Sequence, residues 1–310
     1  MKVESVGSIK NKKILILGGT GFLGNKLISS LLNENLQIYL LARNSRIRKD
    51  LQKYNSNKNI KIFDWIRTDS KIIEKILKEV NCVINLCGIL YENRAGDFDR
   101  VHSELPSLLG ELCLKNNIET FVHVSALGVS EFSDSKYSRS KAIGDKRLLE
   151  NFPKAKILRP SLLFGKGDNF FGQFSKMSSI SPALPLISKN TRFQPIFVDD
   201  VVLAIIKLIS KKDIKGNIFE IGGKFAYTFE ELLKILLDIK NIKRLLIPLS
   251  PNLMIFPAFF LQLLPKPPFT VDQMKLLRKD NILNGNLPGL EALNIKATSM
   301  KKELTKIYKN

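Results

Sequence analysis

The chain has 310 residues, 44% apolar and 25% charged, with a formal net charge of +20. That length suits one large domain or two ordinary ones, and the apolar content excludes a disordered chain. The charge comes mostly from lysines spread along the chain, with no basic run interleaved with aromatics, which favours a solvated surface drawn to acidic lipid over a nucleic-acid binder.

The first apolar run, Ile14-Leu15-Ile16-Leu17, has no polar alternation and predicts a strand buried on both faces, as in a parallel sheet. Gly18, Gly21 and Gly24 follow, and a helical pattern opens at Asn25. Strand, glycine turn and helix together are the setting of a dinucleotide fingerprint. Gly18 lets the chain turn off the strand, Gly21 lets the backbone approach a pyrophosphate, and Gly24 lets the helix pack tightly. The helix N-terminus then offers N–H groups to the phosphates. The spacing is Gly-x-x-Gly-x-x-Gly, and a tight turn without a ligand is the alternative.

Residues 37–43 read as a second strand. An NAD site usually places Asp or Glu at its end, whereas this chain has Ala42-Arg43-Asn44, with Arg46 and Arg48 close behind. Arg43 can hold an adenosine 2′-phosphate by charge-assisted bonds, which points to NADP(H) rather than NAD(H); a solvated loop is the other reading. A short strand at 60–63 ends at Asp64-Trp65, and 71–80 is helical. Residues 82–88 form another buried strand stopped by Gly88, 98–117 a helix in which Pro106 permits a break or a first turn, and 121–125 a further strand. The alternation means βαβ units in a parallel sheet. Cys82, Cys87 and Cys113 fit no zinc pattern, sit in apolar runs and suit a reducing compartment; residues 1–5 lack a signal core. His102 and His123, among apolar neighbours, read as packed structural residues.

Ser125 falls at the carboxyl end of a strand, where open α/β sheets place ligands. Tyr137 and Lys141 are four apart and share a helix face. A phenol with a pKa of about 10 is a poor acid or base at neutral pH. A neighbouring ammonium lowers that value, so Tyr137 could pass a proton to a carbonyl oxygen that Ser125 steadies.

Four stretches now read together: Gly18-Gly19-Thr20-Gly21-Phe22-Leu23-Gly24, His123-Val124-Ser125-Ala126, Tyr137-Ser138-Arg139-Ser140-Lys141 and Arg159-Pro160-Ser161-Leu162-Leu163-Phe164-Gly165. They resemble the extended or atypical short-chain dehydrogenase/reductase superfamily, in order over residues 12–222. Residues 164–171, 181–186 and 191–201 are similar to the NADPH-binding accessory subunit of respiratory complex I and its bacterial relatives. The resemblance implies an α/β fold: a Rossmann-type doubly wound parallel sheet over 1–225, with 166–190 contributing to a substrate cleft, and a smaller, mostly helical C-terminal domain over 226–310. It implies that Gly18, Gly21 and Gly24 cradle the pyrophosphate, with Thr20, Phe22, Leu23, Leu86 and Gly88 completing the cofactor contacts. Arg43 would meet the adenosine phosphate, Asp64 would lie near the adenine, and Pro160 would flank the nicotinamide. Ser125, Tyr137 and Lys141 match the reductase triad, Lys141 also holding the nicotinamide ribose. Because the complex I subunit is regarded as holding NADPH without evident turnover, the triad implies a capacity for chemistry only.

Further on, Asp199 or Asp200 is expected to cap a helix, a better fit than metal ligation since no third ligand is near. Residues 218–223 read as a last strand, and Thr228 opens a helix with a near capping-box pattern. Residues 245–265 hold no charge over a membrane-spanning length, yet Pro248, Pro251 and Pro257 exclude a spanning helix. The stretch is either core of the small domain or an apolar lip for a membrane or membrane-bound partner, flanked by Lys243, Arg244, Lys266 and the basic tail after Lys301. Three functions fit: an accessory protein of the NADH:quinone oxidoreductase holding NADPH structurally, an active reductase or epimerase on an apolar quinone- or lipid-related carbonyl, and a sensor of NADPH level. The expected location is cytoplasmic, peripheral on the inner face of the membrane.

Overall fold

A computed structural model describes residues 9, 11–32, 34–44, 49–54, 56–66, 70–211, 213–264, 267 and 269–309. Residues 1–5, Arg46, Arg48, Pro265 and Lys266 lie outside them. In the first strand, β1 (Lys13–Leu17), Ile14 and Ile16 enter one hydrophobic cluster and Leu15 and Leu17 another. All four are fully buried, which is why the run shows no polar alternation.

The chain continues through α1 (Phe22–Leu31), β2 (Gln37–Ala42), α2 (Lys49–Gln52), β3 (Ile60–Asp64), α3 (Ser70–Leu77) and β4 (Cys82–Asn85). After α4 (Asp97–Asp99) comes a π-helical turn, Arg100–Glu104, that runs into α5 (Leu105–Lys115). Then follow β5 (Thr120–Val124), α6 (Lys136–Asn151) and β6 (Lys156–Pro160). A smaller lobe begins with β7 (Leu163–Phe164), α7 (Phe171–Ile180), β8 (Ala183–Ile187), β9 (Arg192–Phe193) and β10 (Ile196–Phe197). The chain returns to the main sheet with α8 (Val198–Ser210) and β11 (Ile218–Ile221). It ends in β12 (Tyr227–Thr228), α9 (Phe229–Ile239), β13 (Leu245–Leu249), α10 (Pro251–Leu261), α11 (Val271–Leu276) and α12 (Met300–Tyr308).

The main sheet has seven parallel strands in the order β3-β2-β1-β4-β5-β6-β11. The order reverses between β1 and β4, and open α/β sheets carry their ligand crevice at such a point. Side chains of α1 and α8 fill one face of the sheet, those of α3 and α5 the other. The smaller lobe pairs β7 with β10, β9 with β12 and β8 with β13 around a core of Phe164, Phe171, Phe174 and Phe229. Thr228 and Glu231 close a full capping box on α9.

Three expectations need correction. The strand at 82–88 stops at Asn85, because the Asn85 side chain accepts from the Cys87 amide at 3.0 Å and turns the chain away. The α8 N-cap is Phe197, so Asp199 and Asp200 lie inside the first turn and cap nothing. Asp200 instead accepts from the Thr298 amide at 2.8 Å and hydroxyl at 2.7 Å, just before α12, while Asp199 stands 3.7 Å from Lys26. The core reading of 245–265 fails as well. Only Ala258 of α10 is buried, while Leu253 is 75% and Phe256 73% exposed, with Phe259, Phe260, Leu263 and Leu264 also outward. A small cluster of Ile187, Ala258 and Met274 is too thin to cover the helix. Among the described residues no helix is long and apolar enough to cross a membrane.

Of the two places open to Pro106 it takes the first turn, at the start of α5, and the helical run at 98–117 does not break. Pro106 lacks the N–H that would bond to the His102 carbonyl, and the chain passes through the π turn instead. That carbonyl faces α6, where a Cβ on Gly144 would lie 1.7 Å from it. Gly144→Ala is therefore expected to destabilise the protein by about 1–3 kcal/mol or more, measured as a lowered midpoint in urea unfolding.

Candidate nucleotide-binding site

The turn after β1 is held by its own packing. Gly18 has φ +76°, and a Cβ there would lie 2.7 Å from the Leu86 carbonyl carbon. A Cβ on Gly24 would lie 2.5 Å from the Gly18 oxygen and from the Gly19 Cα. The helix opens at Phe22 rather than at Asn25, so Gly24 sits in its first turn, pressed on the loop. Gly21 differs: its φ is −77°, and a Cβ would meet only the Gly18 oxygen, at 3.4 Å. The fold itself does not require glycine at 21; its missing carbon keeps the outer side of the turn open. The α1 N-terminus has neither a side-chain cap nor an acid in its first turn, so its N–H groups suit an anion. Thr20, Phe22 and Leu23 are half-buried around this turn, with the Phe22 ring reaching towards Gly165.

Asn25, which the motif reading passes over, braces the loop. Its amide donates to the Thr20 and Gly21 carbonyls, each at 3.0 Å, and its oxygen accepts from Tyr54 at 3.3 Å. Such bonds depend on the three-dimensional turn, and nothing in the spacing of the glycines announces them.

Across the sheet, Arg43 is exposed in the turn after β2, and Asp64, also exposed, ends β3 opposite Ala42. Leu86 lies against Gly18, and a Cβ on Gly88 would sit 3.7 Å from Lys141 Nζ. Ser125 follows β5 and is buried; Pro160, also buried, ends β6. Lys141 Nζ stands 5.7 Å from the Tyr137 ring centre and 3.5 Å from the Val124 carbonyl. The turn after β1, the loop after β4, the end of β5 and α6 therefore form one contiguous rim, and Arg43 and Asp64 lie beyond it on the β2–β3 side.

His102 and His123 are both buried, as packing residues should be, but His102 has more to do. Its Nε2 accepts from the Ile89 amide at 3.1 Å, which assigns the ring proton to Nδ1, 3.0 Å from Ser140 Oγ. The ring stacks on Phe98 and stands edge-on to Tyr137, with centroids 5.2 Å apart in the second pair. It thus ties the loop after β4 to the helix bearing Tyr137.

The expected lowering of the Tyr137 pKa is overturned. Burial, with the charges of Asp145 and Asp272, pushes the phenol above its ordinary value. Lys141 shows the same burial from the cationic side: it is pushed down to about 8, with Asp145 opposing. Behind them Asp145, also buried, accepts from Arg159 Nε at 2.8 Å, and Arg159 reaches Glu220 at 3.9 Å. Burial raises the Asp145 carboxyl and the Arg159 charge holds it down. His123 is pushed down to about 3 by burial and by Lys141, so it is neutral although it stands 3.7 Å from Asp145. The Ser125 hydroxyl faces Asp145 and favours its charged form, yet neither Ser125 Oγ nor Asp145 Oδ1 completes a hydrogen bond.

The fold and this rim define a nicotinamide-dinucleotide-binding Rossmann protein of the short-chain dehydrogenase/reductase type. The chain belongs to the NAD dependent epimerase/dehydratase family, whose profile matches residues 14–222. It is 29% identical over 296 residues to the mitochondrial NADH dehydrogenase [ubiquinone] 1 alpha subcomplex subunit 9 of Dictyostelium discoideum, covering 94% of this chain and 83% of that protein. The mouse protein of the same name is 30% identical over 306 residues, covering 95% and 79%. Among solved structures, the dTDP-glucose 4,6-dehydratase of Bacillus anthracis in complex with NAD has the same fold, with a TM-score of 0.70, 15% identity, and coverage of 96% and 95%.

Burial favours the neutral Lys141 amine in the folded protein, so the unfolded chain binds more protons between about pH 8 and the ordinary 10.5. Stability of the nucleotide-free protein is expected to gain a contribution that rises with pH across that window. Chemical unfolding at a series of pH values should show a shallower rise for Lys141→Met than for the wild type.

Proposed function

We propose that the protein binds a nicotinamide dinucleotide, NADP(H) in preference to NAD(H), and serves as an accessory or assembly subunit of a membrane NADH:quinone oxidoreductase, with the nucleotide held structurally. The observation that carries the reading is Gly21, the one fingerprint glycine whose small size the fold itself does not need. In this reading Gly18, Thr20, Gly21, Phe22, Leu23 and Gly24 hold the pyrophosphate, and Leu86, Gly88 and Pro160 line the path to the nicotinamide. Lys141 and Tyr137 meet its ribose, Asp64 lies near the adenine, and Arg43 takes the 2′-phosphate. A nucleotide bound only by the folded state adds about 2.7 kcal/mol of stability at a hundred times its dissociation constant, a sufficient reason to keep a cofactor that is not turned over.

The subunit role draws on the relatives, which carry a complex I subunit's name at 29% and 30% identity over almost the whole chain. It also draws on α10, whose exposed circumference is uncharged and, apart from Asn252, apolar. Lys243 and Arg244 precede this lip and a lysine-rich tail follows Lys301, which suits peripheral contact with an anionic bilayer on the cytoplasmic face. A second reading, reduction or epimerisation of an apolar carbonyl, draws on Tyr137 and Lys141, whose Nζ stands 5.7 Å from the phenol ring centre, with Ser125 next in sequence to the Val124 carbonyl that Lys141 approaches. The raised Tyr137 phenol weighs against it, since a proton-transfer group works best with a pKa near the working pH.

Titration of the purified protein with NADPH and NADH tests the main reading. NADPH is expected to bind more tightly, and Arg43→Ala to weaken NADPH about tenfold while sparing NADH, the loss of a charge-assisted bond. Gly21→Val should fold with an unchanged melting temperature and lose nucleotide. Uptake of neither nucleotide by the wild type overturns the reading; consumption of bound NADPH on adding a ketone or quinone, abolished by Tyr137→Phe, selects the second. For the lip, sedimentation with anionic vesicles should fall several-fold in a Phe256→Ser, Phe260→Ser double variant, each ring being a large apolar contact. Equal sedimentation of variant and wild type removes the membrane contact.

A further inference from the structure

The N-terminus of α6 is closed by a residue from the far end of the chain. Asp272 lies in α11, yet its carboxylate is turned to the helix that carries Tyr137 and Lys141. Its Oδ2 accepts from Ser135 Oγ at 2.7 Å and from the Tyr137 amide at 3.1 Å, and its Oδ1 accepts from the Lys136 amide at 2.7 Å. Ser135 Oγ in turn accepts from the Ser138 amide at 3.2 Å. The first three N–H groups of a 16-residue helix thus end, directly or through one hydroxyl, on a single carboxylate. An anion there is favoured both by the unpaired donors and by the helix dipole.

Asp272 is not needed by its own helix. Thr270 and Gln273 close a complete capping box on α11. Nor is α11 an isolated element: Met274 packs with Ala258 of α10 and with Ile187. Lys275 Nζ adds a contact to the Asp134 carbonyl at 3.3 Å. The apolar lip and the Tyr137 backbone are therefore separated by one helix and one carboxylate.

We infer that Asp272 is a positioning residue of the nucleotide site, fixing the α10–α11 unit to the backbone of Tyr137, so that a nucleotide beside Tyr137 and the order of α10 and α11 depend on each other. This rests on the reading that a nicotinamide dinucleotide binds at the rim beside Tyr137. The coupling is reciprocal by necessity: a nucleotide that prefers the bonded arrangement holds α11 in place, and whatever holds α11 favours the nucleotide. The carboxylate also bears on Tyr137 electrostatically, adding to burial and to Asp145 in raising the phenol.

Two measurements on the full chain test this. NADPH affinity is determined for the wild type, Asp272→Asn and Lys275→Ala. Amide hydrogen exchange across α10 and α11 is followed with and without NADPH. Asparagine turns an amide group towards one of the two helix N–H donors, so Asp272→Asn is expected to weaken NADPH roughly 5- to 150-fold, the usual span of a coupling between sites. Lys275→Ala loses a contact of the same unit that does not touch α6 and should bind as the wild type does. NADPH should slow exchange in α10 and α11 of the wild type and leave it unchanged in Asp272→Asn. A purely structural role would lower the melting temperature of Asp272→Asn without moving affinity or nucleotide-induced protection, and that result overturns the inference. So does an equal loss of affinity in Lys275→Ala, or a wild type that binds NADPH with no change in α10 and α11; the last needs no variant to fold. A wild type that takes up no nucleotide overturns the functional reading itself, which is a different result.

Discussion

A carbon atom cannot be added to Gly18 or Gly24 without moving backbone: the first would press on the Leu86 carbonyl carbon at 2.7 Å, the second on Gly18 and Gly19 at 2.5 Å. This contact brings the turn after β1 against the loop after β4, at the point where the strand order reverses. From there the rim follows. The loop after β4 passes Gly88, Gly88 lies beside Lys141, and His102 holds both that loop and α6. A looser turn would separate the fingerprint from the loop that passes Gly88 and Lys141.

The second constraint is charge without water. Lys141, Asp145 and His123 are all buried, and Arg159 is the cation that accompanies the carboxylate. Burial acts on each according to its sign, lowering the bases and raising the acids. Breaking such a group by removing one member leaves an uncompensated charge, which is costly in a low-dielectric interior. The same burial explains why Tyr137, beside a lysine, is still harder to ionise than a phenol in water. The neighbouring lysine does not outweigh lost hydration and two carboxylates.

The local periodicities of the chain carried most of the fold. The unbroken apolar run of β1 could be read because both faces of its strand are covered, and Thr228 with Glu231 could be read because a capping box is a local pattern. Gly18, Ser125, Tyr137 and Lys141 stood out because strand ends and helix faces have fixed spacing. What stayed hidden depends on partners distant in sequence. Asp199 and Asp200 look like caps until Thr298 is seen to claim Asp200. Asp272 looks like an ordinary first-turn acid until α6 arrives above it. Asn25 and His102 show their bracing bonds only once the turns they hold exist. Composition alone could not decide between core and surface for 245–264, because an apolar helix reads the same whether protein covers it or not.

The bare circumference of α10 carries a cost for the isolated chain. A helix with Leu253, Phe256, Phe259 and Phe260 turned to solvent is a surface that chaperones and quality-control proteases engage, and that other chains stick to. A partner or bilayer that covered the helix would remove that liability, and copies left without one would be the first to be cleared.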